Sequence, residues 1–236
     1  MCRSVIVVLV SGWLFGLDAG GQESGEGARK PTKDGTAPIQ VGEADKEKTG
    51  ELPELTTAIG QRAALAFAKK DWKLARKLYG EILAIDPENA LSLANMGAVT
   101  FQLGEYKEAQ THLEKALRLN PELTRARVTL GIAYYQDENL YLAISHLTRA
   151  VHDEPSNARA HMYLAVVAQQ AGWSSAAEEE LRKAIAADPK YAEAHYNLAL
   201  VYLEQKPPAI ELARRHYHLA VDLGAAPDKK MAEKVK

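Results

Sequence analysis

The 236-residue chain is 47% hydrophobic and 25% charged, and its 29 Lys and Arg nearly balance 31 Asp and Glu. That composition suits one ordinary soluble domain with extensions, and the near-neutral balance lacks the basic excess of a nucleic-acid binder. The single cysteine, Cys2, rules out an internal disulfide, a cysteine-based metal site and a thiol nucleophile in the rest of the chain.

Residues 1–20 have one early cation, Arg3, then the uncharged run SVIVVLVSGWLFGL (4–17), then DAGG. Fourteen apolar residues are short for a bilayer span but suit the core of a secretory signal. We therefore expect a signal peptide over 1–20 or, if it is left uncleaved, an N-terminal anchor with membrane association through 4–17. Leu17-Asp18-Ala19 is a loose version of the small-x-small cleavage pattern, so both outcomes stay open. Residues 21–55 are rich in Gly, Pro and charge and contain no aromatic, so they cannot bury enough apolar surface to offset chain entropy. A disordered linker is expected there.

From residue 56 the pattern changes. Helical runs such as EAQTHLEKALRLNP (108–121), LAISHLTRAVHDEP (142–155) and AAEEELRKAIAADP (176–189) each end in a proline, which a helix interior does not tolerate. Pro87, Pro121, Pro155 and Pro189 stand 34 residues apart. Ala75, Ala109, Ala143 and Ala177 share a second register, and Tyr79, Leu113, Leu147 and Leu181 a third. Upstream of each alanine block lies another helical run, marked by Met96-Gly97, Leu130-Gly131, Leu164-Ala165 and Leu198-Ala199. Each unit is thus two helices. Between them come the breaks LGEY (103–106), DENL (137–140) and AGW (171–173), where Gly104 and Gly172 can take the left-handed conformation that ends a helix.

A 34-residue helix–turn–helix with Leu-Gly, an aromatic, two alanines and a closing proline resembles the tetratricopeptide repeat. The resemblance implies an all-α, right-handed superhelical solenoid of about five such units over residues 56–225. Units at 90–123, 124–157 and 158–191 match best. The first departs from the pattern at Arg62-Ala63, and the last has a two-residue insertion at Lys206-Pro207-Pro208. Residues 226–236, APDKKMAEKVK, read as a polar C-terminal capping helix, since a terminal repeat needs a polar outer face.

In such a solenoid the first helix of each unit lines a concave wall. The stripes facing away from the Leu-Gly side are Leu91/Asn95/Ala98/Gln102, Arg125/Thr129/Ile132/Gln136, Arg159/Tyr163/Val166/Gln170 and Glu193/Asn197/Leu200/Glu204. Beside them run Phe101, Tyr135, Met162 and Tyr196. Amides can bond a peptide backbone and aromatics can bury its side chains, so Asn95, Phe101, Gln102, Arg125, Thr129, Tyr135, Gln136, Arg159, Met162, Tyr163, Gln170, Tyr196 and Asn197 form the candidate partner-binding groove. For apolar members of the stripes such as Ile132 and Val166, packing between units is an equal alternative. Tetratricopeptide co-chaperones hold an acidic carboxyl terminus with a clamp of Lys, Asn and Arg. Asn95 and Arg125 match two of its positions, but Gly60, Ala64 and Thr129 depart from it, so that ligand is not inferred.

His112 and His146 recur at 34 residues, as do His161 and His195. Equivalent points on stacked helices lie about 8–10 Å apart, too far for a shared ion with bonds near 2 Å, so no metal site is expected. There is no phosphate loop opening a helix, no Gly-x-Ser-x-Gly elbow and no His-Glu-x-x-His pair. The expectation is a non-enzymatic, cofactor-free scaffold or adaptor for a protein or peptide partner. Bacterial proteins that resemble it often assemble envelope machinery, which implies an exported, periplasmic or envelope-associated location. The alternatives are a structural protein that self-assembles through its end faces, and an accessory or small-ligand-binding subunit. The oligomeric state is left open.

Overall fold

The computed structural model describes residues 54–236, all of whose regular elements are helices. The apolar run at 4–17 and nearly all of the segment that follows it lie outside the described residues. Five helix pairs follow in order: α1 Glu54–Ala68 with α2 Trp72–Ile85, α3 Ala90–Gln102 with α4 Tyr106–Leu119, α5 Thr124–Gln136 with α6 Leu140–Asp153, α7 Ala158–Gln170 with α8 Ser174–Ala187, and α9 Ala192–Glu204 with α10 Ile210–Asp222. A short α11, Lys229–Lys234, closes the C-terminal end. The pairs stack into the right-handed solenoid that the periodicity implies.

The helix starts are written locally. Asp71, Asn89, Asn139 and Asn157 each accept an N–H from three residues on, at 2.9–3.2 Å, which satisfies one of the donors orphaned at a helix start. In the turns, Lys70, Gly104, Glu138 and Gly172 all have positive φ, at 59°, 79°, 59° and 83°. These four positions are 34 residues apart. The turn therefore takes a left-handed residue in each of the first four units, and a glycine supplies it in only two.

Within a pair the approach is set by small residues. A Cβ at Gly97 would meet Leu113 Cγ at 2.5 Å, and one at Gly131 would meet Leu147 Cγ at 2.7 Å. Ala109, Ala143, Ala177 and Ala213 are fully buried on the facing helices. The first helix of each repeat from α3 onward packs on its own partner and on the second helix of the unit before it. It also touches the neighbouring first helix, so it is enclosed from several sides. One continuous core runs from Leu93 to Val235, and a smaller one joins α1 and α2 to Met96 and Val99 of α3.

The closing prolines have a second role. Pro cannot donate, but its carbonyl needs a partner when the helix has ended. Lys115 Nζ donates to Pro87 O at 2.8 Å, Arg127 donates to Pro121 O, His161 Nε2 to Pro155 O at 2.9 Å and His195 Nε2 to Pro189 O at 3.2 Å. Arg127, His161 and His195 occupy one register of the first helix. The His161/His195 register of the sequence is thus a pair of junction ties, whereas His112 faces Glu108 and His146 stacks on Tyr134.

Candidate functional site

The wall formed by α3, α5, α7 and α9 divides the candidate residues into two groups. Asn95, Thr129, Tyr135, Met162 and Tyr196 are each less than a tenth exposed and lie within the wall, not on its surface. A stripe on a single helix leaves out the flanking first helices, which close over those positions. Thr129 turns its hydroxyl back to the Arg125 carbonyl at 2.9 Å. Met162 Sδ sits 3.9 Å from Asn197 Nδ2. Tyr196 is directed to the C-terminal end: its hydroxyl donates to the Asp228 carboxylate at 2.9 Å and its ring meets Tyr217 edge-on at 6.2 Å. Burial, and then the bond to Asp228, push its pKa well above that of a free phenol. Ile132 and Val166 are also buried, as packing between units requires.

The remaining residues present surface. Arg125 and Gln170 are exposed, and Phe101, Gln102, Gln136, Arg159, Tyr163 and Asn197 are half-buried. Arg159 lies over the Tyr163 ring, with its guanidinium carbon 5.6 Å from the ring centroid, which fixes both long side chains and leaves the cation at the wall. Phe101 rests against Tyr106 at 5.5 Å. Asn197 Nδ2 donates to the Glu193 carbonyl at 2.8 Å.

Tyr163 also has neighbours that the helical stripes did not include. Burial raises the pKa of both Tyr135 and Tyr191, and the nearby Tyr163 phenol raises them further, while Arg159 works in the opposite direction on Tyr191. Tyr191 precedes α9, in the register of Leu123 and Asn157, so a reading confined to helix faces passes over it. Tyr163 thus stands near the phenols of Tyr135, which is buried, and Tyr191, with Arg159 beside it, Arg125 on α5 and the carboxylates Glu193 and Glu204 on α9. The part of this group at the surface, Tyr163 and Arg159, can bury an apolar side chain against the ring and donate hydrogen bonds to carbonyl or carboxylate oxygens.

Two large aromatics lie at the turns beside the start of an outer helix. Tyr141 near the start of α6 is 82% exposed, and Trp173 just before α8 is 55% exposed. Trp173 takes the capping position filled by Asn139 one unit earlier, and it makes no side-chain cap bond.

Three family models match the chain: two described as tetratricopeptide repeat, over residues 54–122 and 128–172, and one as TPR repeat, over 175–206. A search of curated proteins returned no match. Among solved structures, the chain is similar to YrrB, described as a TPR protein with an unusual peptide-binding site. Identity there is 26% over 77% of this chain and 96% of that one, with a TM-score of 0.59. It is similar also to a MamA protein, at 25% identity over 75% of this chain and 100% of that one, TM-score 0.61. PilF of Pseudomonas aeruginosa, at 21% identity over 77% and 81% of the two chains and a TM-score of 0.69, shares the fold.

Proposed function

Since the chain belongs to the tetratricopeptide-repeat family, we propose that it is a non-catalytic scaffold that holds a peptide segment of a protein partner along its inner wall. The observation that supports this best is the pairing of Arg159 with Tyr163 beside Tyr135 and Tyr191, with Arg125, Gln136 and Gln170 presented on the same helices. The Tyr163 ring, held in place by packing and by Arg159, offers binding area at little entropic cost. The bound segment is extended or helical, with acidic groups toward α5 and α7 and basic groups toward α9, where Glu193 and Glu204 stand. The similarity to YrrB, whose description names a peptide-binding site, is in keeping with this reading.

We further propose that residues 1–20 direct export, that 21–55 form a tether, and that the scaffold works at the cell envelope. The polar, aromatic-free composition after residue 20 and the apolar run before it support this. Amino-terminal sequencing of the protein recovered from fractionated cells tests it. Loss of roughly the first 20 residues, or retention of the full chain in the membrane fraction, is expected; an intact chain in the cytosol refutes export.

To test the scaffold, the full-length chain is immobilised beside an Arg125→Ala/Tyr163→Ala/Asn197→Ala copy and exposed to a native envelope extract, and bound proteins are identified by mass spectrometry. A partner retained by the wild type and lost by the triple variant is the expected outcome. Equal capture by both removes the wall as the binding site.

A further inference from the structure

His161 and His195 stand in the same register of successive units, and each ties down a proline carbonyl through Nε2. Their other nitrogens face opposite chemistry. His161 Nδ1 is 2.6 Å from Glu180 Oε2, and that carboxylate also takes Lys183 at 2.8 Å. Both ring nitrogens of His161 therefore face acceptors.

The two-residue insertion places His216 in the register of Glu180. His195 Nδ1 is 2.9 Å from His216 Nδ1, with the rings stacked at 5.2 Å. Because His195 Nε2 donates to Pro189 O, its Nδ1 must accept, and His216 Nδ1–H must donate. The closed contact thus holds at most one extra proton, on the far nitrogen of His216. Two histidines in water take up two.

Even that one proton is opposed. The groups facing His216 are His195 and the Tyr202 ring of α9, the latter at 5.8 Å, Arg215 of α10, and Arg182 of α8, whose guanidinium donates to the Tyr202 hydroxyl at 3.1 Å. Glu178 on α8 is engaged by Arg182 at 2.7 Å and accepts from Gln205 at 3.0 Å. In the equivalent place two units earlier, His146 stacks on Tyr134, whose hydroxyl donates to the carboxylate of Glu114. At the tyrosine hydroxyl, where that unit has the Glu114 carboxylate, the last unit has the Arg182 guanidinium, while burial and Arg127 also lower the pKa of His146.

We infer that the α9–α10 contact is an acid-sensitive latch: as the pH falls below the usual histidine range, the pair takes up protons that the closed geometry cannot hold, and α10 with α11 loosens from α9. The inference rests on the fold and not on the proposed partner site. Release of α10 and α11 also uncovers Tyr196, which Asp228 otherwise holds. The α7–α8 contact stays closed, because its tie is made to a carboxylate.

Burial, then His195, Arg215 and Arg182, lower His216 to about 4. A histidine depressed in the folded state contributes stability that is complete above its ordinary range and is lost as pH falls toward the depressed value. Allowing for the partial exposure of His216, opening of α10 rises about tenfold between about pH 7 and pH 5.

Hydrogen exchange of the full-length chain at those two pH values, corrected for the intrinsic pH dependence of exchange, reads this directly. Amides of α10 and α11 open about tenfold more at the lower pH, while those of α7 and α8 do not change. The His216→Glu variant, which copies the α7–α8 arrangement, abolishes the difference. An equal response in both regions, or an undiminished response in His216→Glu, overturns the latch. Should His216→Glu already exchange fast at neutral pH, NMR titration of the wild-type imidazoles decides: a His216 midpoint well below the free-histidine value supports the latch, and a midpoint at that value refutes it.

Discussion

The inner helices α3, α5, α7 and α9 and the outer helices α4, α6, α8 and α10 have nearly equal lengths but different relations to the core. On α5, every residue from Val128 to Tyr135 is buried. On α8, only Ala177, Leu181 and Ala184 are, and the triplet Glu178-Glu179-Glu180 lies off that line, pairing with Arg182, Lys183 and His161. An outer helix has one face in the core, so the phase of a residue decides its fate. An inner helix is enclosed by its partner, by the preceding outer helix and by its neighbours along the wall, so phase decides little.

That contrast is best broken by deletion inside the wall. Leu130→Ala removes a fully buried side chain from α5 and costs about 2–5 kcal/mol, measured by urea denaturation. A loss under about 1 kcal/mol would mean that the inner helix is not enclosed. Next in size is Gly131→Ala, whose new Cβ meets Leu147 at 2.7 Å and costs about 1–3 kcal/mol through overpacking. The same unfolding curves report it, and the register predicts no such penalty at Ala165, where the side chain already exists. Tyr196→Phe deletes the bond to Asp228 and loses about 1 kcal/mol, with faster exchange of the α11 amides as a local signature. In the turns the sign reverses: Glu138→Gly relieves a left-handed non-glycine and gains about 0.5–1 kcal/mol, visible as a raised Tm. Least affected is the outer surface, where Lys183→Ala gives up exposed ion pairs to Glu179 and Glu180 and changes stability by about 0.5 kcal/mol or less.

The same contrast explains what was legible beforehand. The units, their closing prolines and the Leu-Gly and Ala contacts are consequences of spacing within single pairs, and the sequence displays spacing openly. That Arg125, Gln136, Arg159 and Gln170 reach the surface of the wall was legible because little packing demand falls on them. The burial of Tyr135, Met162 and Tyr196 was not, since their surroundings come from the next unit or the one before. Tyr191 escaped because it precedes its helix, and the left-handed turn was seen only where a glycine marks it. His216 joined the register of Glu180 only once the insertion at 206–208 was counted.

The ties on the proline carbonyls have a consequence for how such a chain can grow or shrink. Each junction is completed by a side chain that arrives later in the sequence, and from Pro121 onward that side chain sits six residues after the proline. Excision of one 34-residue period between Pro121 and Pro155 would bring His161 to the place of Arg127, with a donor aimed at the same oxygen. The seam heals itself. A cassette with that property can be duplicated or lost by recombination without leaving a raw polar edge inside the protein, so the length of the scaffold is free to vary while its joints are not.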